Sequence, residues 1–352
     1  MKKIILLLLV LLMIPVQVFA ANPREIPYAH ALSRAISRDA VIVPMDREIR
    51  QANARARDLL NEYLELVNFD RPVAEAIYGQ RKVALAERDR LTRERERLKL
   101  TIERQLRTHL ANIAHHEAII AINEINLDLQ ERALEQTGLR HYHGMASTLE
   151  LNEARLLIEQ TRLNLETSIL ALQNERQQLN RLIHQPITAN IRVIYDIHDI
   201  EPMPEGAGTE RFIERQAALD HNLLYWREET EIRRYEWQRQ LDDPDVDNRY
   251  MRLQHQLATL ERDMALRQAE LNVRNAFAEW ERLIEAGTAL EAALAQAIAD
   301  YEDMQIRLEA GLVTQIAVDT AANGVAAAEA LLARHEYDFW IARIRIAHPY
   351  LR

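Results

Sequence analysis

A seven-residue apolar repeat constrains the fold of this chain more than any other feature of its sequence. Leucine or isoleucine recurs every seven residues in two runs, at Leu106, Ile113, Ile120, Leu127 and Leu134 and at Leu151, Ile158, Leu165, Leu172 and Leu179. A spacing of 3.5 residues per turn keeps one apolar stripe against a partner helix over many turns. The sequence therefore predicts an all-α fold of long coiled-coil helices, one of which spans about Val83 to Gln136.

A second leucine stripe runs beside the second of these repeats, at Leu149, Leu156, Leu163 and Leu170. One two-helix seam needs only a narrow apolar stripe, whereas a helix that touches neighbours on both sides needs a broad one. The double stripe therefore favours a helix built into a closed wall.

Two glycines mark where the predicted rods reverse. Gly144 lies in RHYHGMASTLELN and Gly311 in RLEAGLVTQIAVD, 167 residues later (311 − 144). When the sequence is aligned with itself at this offset, the apolar positions stay in phase, and Leu165, for example, aligns with Leu332. This phase predicts two internal repeats, each an antiparallel helical hairpin. Glycine can take the left-handed conformation that ends a helix, and Ser147 or Thr314 can cap the next helix.

Composition excludes several classes of function. A net charge of −10 and a pI near 5.7 argue against a nucleic-acid binder, which needs a basic face. The absence of cysteine rules out a disulfide framework and thiol chemistry. No phosphate loop, nucleophile motif or paired-acid motif stands out, so we expect neither an enzyme nor a bound cofactor. The pairs His115-His116 and His141/His143 invite a metal hypothesis, but solvated helix faces are favoured because convergent ligands are missing.

The N-terminus predicts export. Two lysines precede an apolar run from Ile4 to Ile14, and Val18 and Ala20 fit a signal-peptidase site before Ala21. Residues 1–20 are therefore expected to be a signal peptide, and the alternative is an uncleaved membrane anchor.

The duplicated R-x-x-x-G turns, each followed by Ser or Thr and by apolar heptads, resemble the TolC-type outer-membrane efflux family. Arg140 to Leu182 resembles the helix turn of the family's first repeat, and Arg307 to Ile346 that of its second. The resemblance implies a first helical repeat at residues 21–185, a linker at 186–210 and a second repeat at 211–352. It also implies a homotrimer in the periplasm and outer membrane, whose helices form a tunnel, an α-barrel, beneath a membrane β-barrel. A periplasmic adaptor and an inner-membrane pump would deliver its substrates.

The resemblance also assigns roles to residues near the turns. It implies that the two turns dock the adaptor, through Gly144, Met145, Ser147, Gly311, Leu312 and Thr314. The alternative is that these residues only cap helices. In the family an acidic residue six positions after the turn glycine lines the tunnel entrance, and Glu150 occupies that position here. The second repeat has Ala317 there, and Asp319 comes two positions later, about 200° around the helix. Glu150 and Asp319 are therefore the candidate gate residues.

The chain departs from the family where the membrane strands should be. The windows Leu66–Gln80 and Leu241–Met251 lack the length and alternation that a membrane hairpin needs. The sequence therefore predicts a reduced or absent β-barrel. In the linker Pro186–Thr209, alternating Ile191, Val193, Tyr195 and Ile197 allow one strand, but an extended connector is favoured.

Two functions remain open at this stage. The first is a subunit of a TolC-like efflux or secretion conduit that exports small molecules or proteins. The alternative is a non-conducting structural or tethering coiled-coil protein of the cell envelope. Duplication, export and turn motifs favour the first, and the missing strands favour the second.

Overall fold

A computed structural model describes residues 23–197, 206, 208–241 and 248–348. The predicted signal peptide therefore lies outside the described residues. Within the described part the chain forms eight helices and two strands of four residues each. The prediction of an all-α fold built from long hairpins is confirmed.

The two halves of the chain repeat the same order of elements. The first half holds β1 (Arg24–Pro27), α1 (Tyr28–Ser37), α2 (Ile42–Leu66), α3 (Arg71–Tyr142) and α4 (Thr148–Leu182). The second half holds β2 (Ile191–Ile194), α5 (Glu210–Ala217), α6 (His221–Leu241), α7 (Arg249–Glu309) and α8 (Gln315–Ala347). Each half is a strand, two shorter helices and a long antiparallel hairpin, so the structure contains the duplication that the sequence predicts.

The two hairpins lie side by side as a wall of four helices. α4 packs on α3, α3 packs on α8, and α8 packs on α7, so α4 and α7 form the two edges of the wall. α3 has 72 residues and is roughly 108 Å long at 1.5 Å per residue. It begins and ends beyond the predicted span of Val83 to Gln136. α2 and α6 also pack on it.

The two leucine stripes of α4 have different environments. Ile158, Leu172 and Leu179 of the first stripe are buried. The second stripe, at Leu149, Leu156, Leu163 and Leu170, is 58–69% exposed. The first stripe faces α3 as predicted, whereas none of the described residues covers the second.

The strands lie opposite each other at the repeat interval. β1 and β2 pair in parallel with Arg24 opposite Ile191, which is the same 167-residue interval that relates the turns (191 − 24). Ile26 and Val193 bury their side chains in one apolar core with Ile183 of the α4 end. The interpretation of the linker as an extended connector is therefore wrong for Ile191–Ile194, where the alternative of a single strand is correct. So short an alternation does not reveal its partner, because the pairing joins segments far apart in sequence.

The strand pair covers one face of the wall. The same core contains Leu106 and Leu110 of α3 and Trp340 of α8. Arg107 donates a hydrogen bond to the backbone oxygen of Trp340 at 2.9 Å, and its guanidinium lies 4.7 Å from the indole centroid. Burial in this core raises the pKa of Tyr28 to about 12. The opposite face of the wall is left uncovered by these elements.

A tight connection replaces the expected membrane strands in the first repeat. α2 ends at Leu66 and α3 begins at Arg71, where the carboxylate of Asp70 accepts a hydrogen bond from the Val73 N–H at 3.3 Å. The window Leu66–Gln80 therefore holds no strand. Most of the second window, residues 242–247, lies outside the described residues.

One described helix, Gln315–Arg345, has the length and the mean hydropathy, 1.3, of a membrane-crossing segment. It belongs to α8, which packs between α3 and α7 in the wall. Its hydropathy comes from several branched apolar residues and from eight alanines between Ala317 and Ala333. Small side chains also allow helices to pack closely in a wall.

Asn180 holds the chain that leads into β2. Its buried amide donates hydrogen bonds to the backbone oxygens of Ile187 and Ala189 at 3.0 and 2.8 Å. We expect Asn180→Ala to lower the local stability of Ile191–Ile194 by about 1–3 kcal/mol, because the backbone oxygens of Ile187 and Ala189 lose their hydrogen-bond donor. Amide hydrogen exchange of β2 measures this loss. Asn174→Ala, at an exposed position of the same helix, should leave β2 unchanged, and equal exchange in the two variants would contradict the assignment.

Candidate docking turns and tunnel entrance

The two turns share one backbone geometry. Gly144 and Gly311 have φ of 72° and 71°. In the first turn, the N–H of Gly144 donates to His141 O at 2.9 Å and that of Met145 to Arg140 O at 2.7 Å. In the second turn, the N–H groups of Gly311 and Leu312 both donate at 2.8 Å, to Leu308 and Arg307. Both are Schellman motifs, so the predicted left-handed glycines are confirmed.

The tips of the hairpins are open and apolar. Met145 and Leu312, each directly after its glycine, are 63% and 75% exposed. Tyr142 is also exposed, and a Cβ added at either glycine meets no atom within 4 Å. A partner can therefore approach the backbone of both turns closely.

The helices that follow the turns begin differently. Ser147 and Glu150 form a capping box at the start of α4. The Ser147 hydroxyl accepts from the Glu150 N–H at 3.2 Å, and the Ser147 N–H donates to the carboxylate at 2.6 Å. Thr314 has the extended backbone of a cap residue but makes no side-chain cap bond. The prediction of a capping side chain is therefore confirmed at Ser147 and wrong at Thr314. Ala317 lacks a carboxylate to complete the box.

Glu150 is a solvent-exposed carboxylate at the turn end of α4. Hydrogen bonds from the Ser147 backbone N–H and then from its hydroxyl lower the pKa of Glu150. It therefore stays ionised over a wider acidic range than an ordinary glutamate. A charge is present where the resemblance places the entrance, and it also stabilises the first turn of its helix.

Asp319 lies between the two hairpins. Its carboxylate accepts from Arg132 of α3 at 2.8 Å and from Gln315 at 2.8 Å, and the Gln315 and Arg132 bonds lower the pKa of Asp319. Arg132 also pairs with Asp128 at 2.7 Å. No bond joins Asp319 to Glu150 within the described part of the chain. The sequence carried no signal for the Arg132 contact beyond the Asp128–Arg132 spacing of four residues.

Two histidines, one at the first turn and one in the middle of α3, make structural bonds. Nδ1 of His141 lies 2.9 Å from the Ala146 oxygen across the first turn, and Nδ1 of His109 lies 2.8 Å from a Glu175 carboxylate oxygen. Among the described residues no three His, Asp or Glu side chains form a group that could hold a metal ion.

Solved structures with the same arrangement of helices are outer-membrane channels. The chain is similar to the CmeC channel of Campylobacter jejuni, with a TM-score of 0.66 and 11% identity over 92% of this chain and 85% of that one. VceC of Vibrio cholerae gives 0.61 and 12%, over 92% and 95% of the two chains. A Pseudomonas aeruginosa membrane protein gives 0.65 and 14%, over 92% and 89%. The chain has the fold of the TolC-type channels.

The TolC-type fold extends over both repeats, because 92% of this chain is covered. No family model and no curated protein matches the sequence. At 11–14% identity the shared property is the fold. The neighbours are described as a membrane protein, an outer membrane protein and an outer membrane channel.

Replacing Gly138 and Gly144 with alanine should change the stability of the first hairpin in opposite directions. We expect Gly144→Ala to destabilise the turn by about 1–2 kcal/mol, because alanine at positive φ is strained although it meets no atom. Gly138→Ala, in the helical part of α3 and also in open space, should stabilise by about 0.5–1 kcal/mol. Amide exchange at the turn end of α3 reports both. Changes of the same sign would refute the left-handed role of Gly144.

Proposed function

We propose that this protein is a subunit of a TolC-like efflux or secretion conduit in the cell envelope. Three copies would close into a ring whose twelve wall helices surround a tunnel. The observation that carries the proposal is that the two edges of the wall are exposed, apolar and different from each other.

The α4 edge is a row of leucines that points away from α3. Leu156 and Leu163 precede Ile158 and Leu165 by two residues each, which is about 200° around a helix. Because Ile158 is buried inside the hairpin, Leu156 must face outward, as its 69% exposure records. This edge offers large side chains to a neighbour.

The α7 edge offers small side chains along the same length. Leu294 and Tyr301 are half-buried, and the exposed Ala292 and Ala299 precede them by two residues each. Ile306, also exposed, continues the seven-residue spacing toward the turn. The edge is therefore a shallow groove of alanines that ends in one isoleucine.

The two edges fit each other in antiparallel order. When they are aligned from the turn end, Leu156 meets Ile306, Leu163 meets Ala299, and Leu170 meets Ala292. Large side chains then pack into a groove of small ones, as in ridges-into-grooves packing. Because the surfaces differ, the contact is head-to-tail, and such contacts form a ring where the rotation closes. The TolC-type fold supports three subunits as the closed number.

The exposed turns would dock the partner proteins. Gly144, Met145, Ser147, Gly311, Leu312 and Thr314 lie at one end of the wall. Open backbone at Gly144 and Gly311 and exposed side chains at Met145 and Leu312 suit contact with the helical tips of a periplasmic adaptor, which would link the tunnel to an inner-membrane pump. The alternative is that these residues only cap the ends of the helices.

The location and cargo follow from the same proposal. The predicted signal peptide directs the chain to the periplasm, and the tunnel would act there and at the outer membrane, passing small molecules or proteins. A second function, a non-conducting tether, is favoured by the tight connection from Leu66 to Arg71, which leaves no membrane strands in the first repeat.

Assembly separates these two functions. We expect the mature protein to be a trimer and Leu156→Glu with Leu163→Glu to dissociate it, because six charges would be buried in three seams. Light scattering at micromolar concentration measures the mass, and circular dichroism checks that the helices remain. Asn164→Glu places the same charge on another exposed face of α4 and should leave the trimer intact. A folded wild-type monomer contradicts the conduit and leaves the tether.

Glu150 offers a test of the entrance. Three Glu150 carboxylates would attract cations, whereas Asp319 is engaged by Arg132 between the hairpins. Glu150→Gln removes the charge and keeps a side chain that can complete the capping box. We expect lower cation selectivity in bilayer conductance, measured with any partner that the channel requires. Glu166→Gln, further from the turn, is the control, and equal selectivity in wild type and Glu150→Gln leaves this residue only its capping role.

A further inference from the structure

A cavity of about 1010 Å³ lies where α4 and α8 end. All four wall helices contribute to its lining, through Arg104, Arg181, Glu279 and Asp338 among others. One open cavity can touch both edge helices and both central helices only if the wall is concave there. In the proposed ring this concave face is the tunnel interior.

The residues of α3 confirm which face this is. Leu106 and Leu110 point into the apolar core beneath the strand pair. Arg104 and Thr108 line the cavity and precede them by two residues each, about 200° around the helix. The cavity therefore lies on the face opposite β1 and β2.

The acidic groups of the cavity already have partners. Glu279 accepts two hydrogen bonds from Arg345 at 2.8 and 3.0 Å. Asp338 pairs with Arg334 at 3.2 Å. Asp39 accepts from the N–H groups of Val41 and Ile42 at the start of α2, both at 2.9 Å. Glu279 and Asp338 are therefore paired with arginines, and Asp39 is held by backbone N–H groups at the start of α2.

Two guanidinium groups of the same cavity remain available for a ligand. The ion pairs of the cavity join Arg345 to Glu279 and Arg334 to Asp338, and Arg104 and Arg181 form none among the described residues. Arg181 lies in the last turn of α4, where the helix dipole favours a cation without neutralising it. The lining also includes the apolar side chains of Leu182, Leu283 and Ile341. Positive charge and apolar surface therefore meet in one concavity.

We propose that this cavity binds amphiphilic organic anions, with the acidic head on Arg104 and Arg181 and the apolar body against the leucines and isoleucine. A guanidinium donates two parallel, charge-assisted hydrogen bonds to a carboxylate, sulfate or phosphate, whereas a quaternary ammonium cannot accept hydrogen bonds and a sugar head accepts them without the ionic attraction. The proposal rests on the proposed conduit, in which three such cavities would place a band of unpaired arginines around the tunnel. This band gives the conduit a substrate class.

Three amphiphiles with equal tails test the proposal on the purified mature protein. Decyl sulfate, decyltrimethylammonium and decyl maltoside are titrated calorimetrically below their micelle concentrations. We expect decyl sulfate to bind at least tenfold more tightly than the other two and its affinity to fall with added salt. Arg104→Gln with Arg181→Gln should weaken decyl sulfate about tenfold or more, and the corresponding double lysine variant, which keeps both charges but loses the paired donors, should have an intermediate affinity.

The control removes two arginines elsewhere. Arg50→Gln with Arg57→Gln changes the net charge equally on exposed positions of α2 and should leave binding unchanged. Equal losses in both glutamine variants, equal affinity for the three amphiphiles, or no binding to wild type would overturn the site. Binding needs no conduction, so loss of the site with an intact trimer leaves the conduit proposal standing. A monomer that still binds decyl sulfate rejects the conduit alone.

Discussion

The two hairpins meet along α3 and α8, and polar side chains hold this seam. Arg132 binds Asp319 at 2.8 Å, and Asn323 donates to Asn126 at 2.7 Å. Within each hairpin the buried contacts are mainly apolar, and such contacts tolerate sliding by a heptad, although pairs such as His109–Glu175 and Glu279–Arg345 add polar contacts there. Directional bonds do not tolerate it, so the seam fixes the register between the repeats. With that register set, α4 and α7 become the edges of one wall, and the concave face, the turns and the exposed stripes all take their positions.

An incomplete wall explains why so much apolar surface is exposed on one chain. A soluble monomer seldom leaves a row such as Leu149, Leu156, Leu163 and Leu170 in water, because covering each leucine stabilises a protein by about 1.5–3 kcal/mol. The alanine edge of α7 provides a different surface of matching length. A tether built from one coiled coil would need neither edge. The proposed ring would therefore account for features of the chain that hairpin packing alone leaves without a role.

The sequence predicts what depends on local periodicity. The heptads predict the hairpins, Gly144 and Gly311 predict the reversals, and the short window Leu66–Gln80 predicts the missing strands. The sequence did not predict which distant segments contact each other. β1 and β2 pair across 167 residues (191 − 24), and Arg132 reaches Asp319 across two hairpins. Thr314 matches the cap pattern by type, but its side chain makes no cap bond, since side-chain orientation at an exposed turn is not encoded in residue type.

Disulfide trapping across the proposed seam tests the ring most directly, because the chain has no cysteine of its own. Leu163→Cys with Ala299→Cys places one thiol on each edge. After mild oxidation, a denaturing gel should show disulfide-linked dimers and trimers beside the monomer, with the trimer as the largest species. Either single cysteine variant should run as a monomer. Covalent dimers from Leu163→Cys alone would reveal a twofold contact between α4 helices. That result, or a ladder that continues beyond three subunits, would contradict the closed ring.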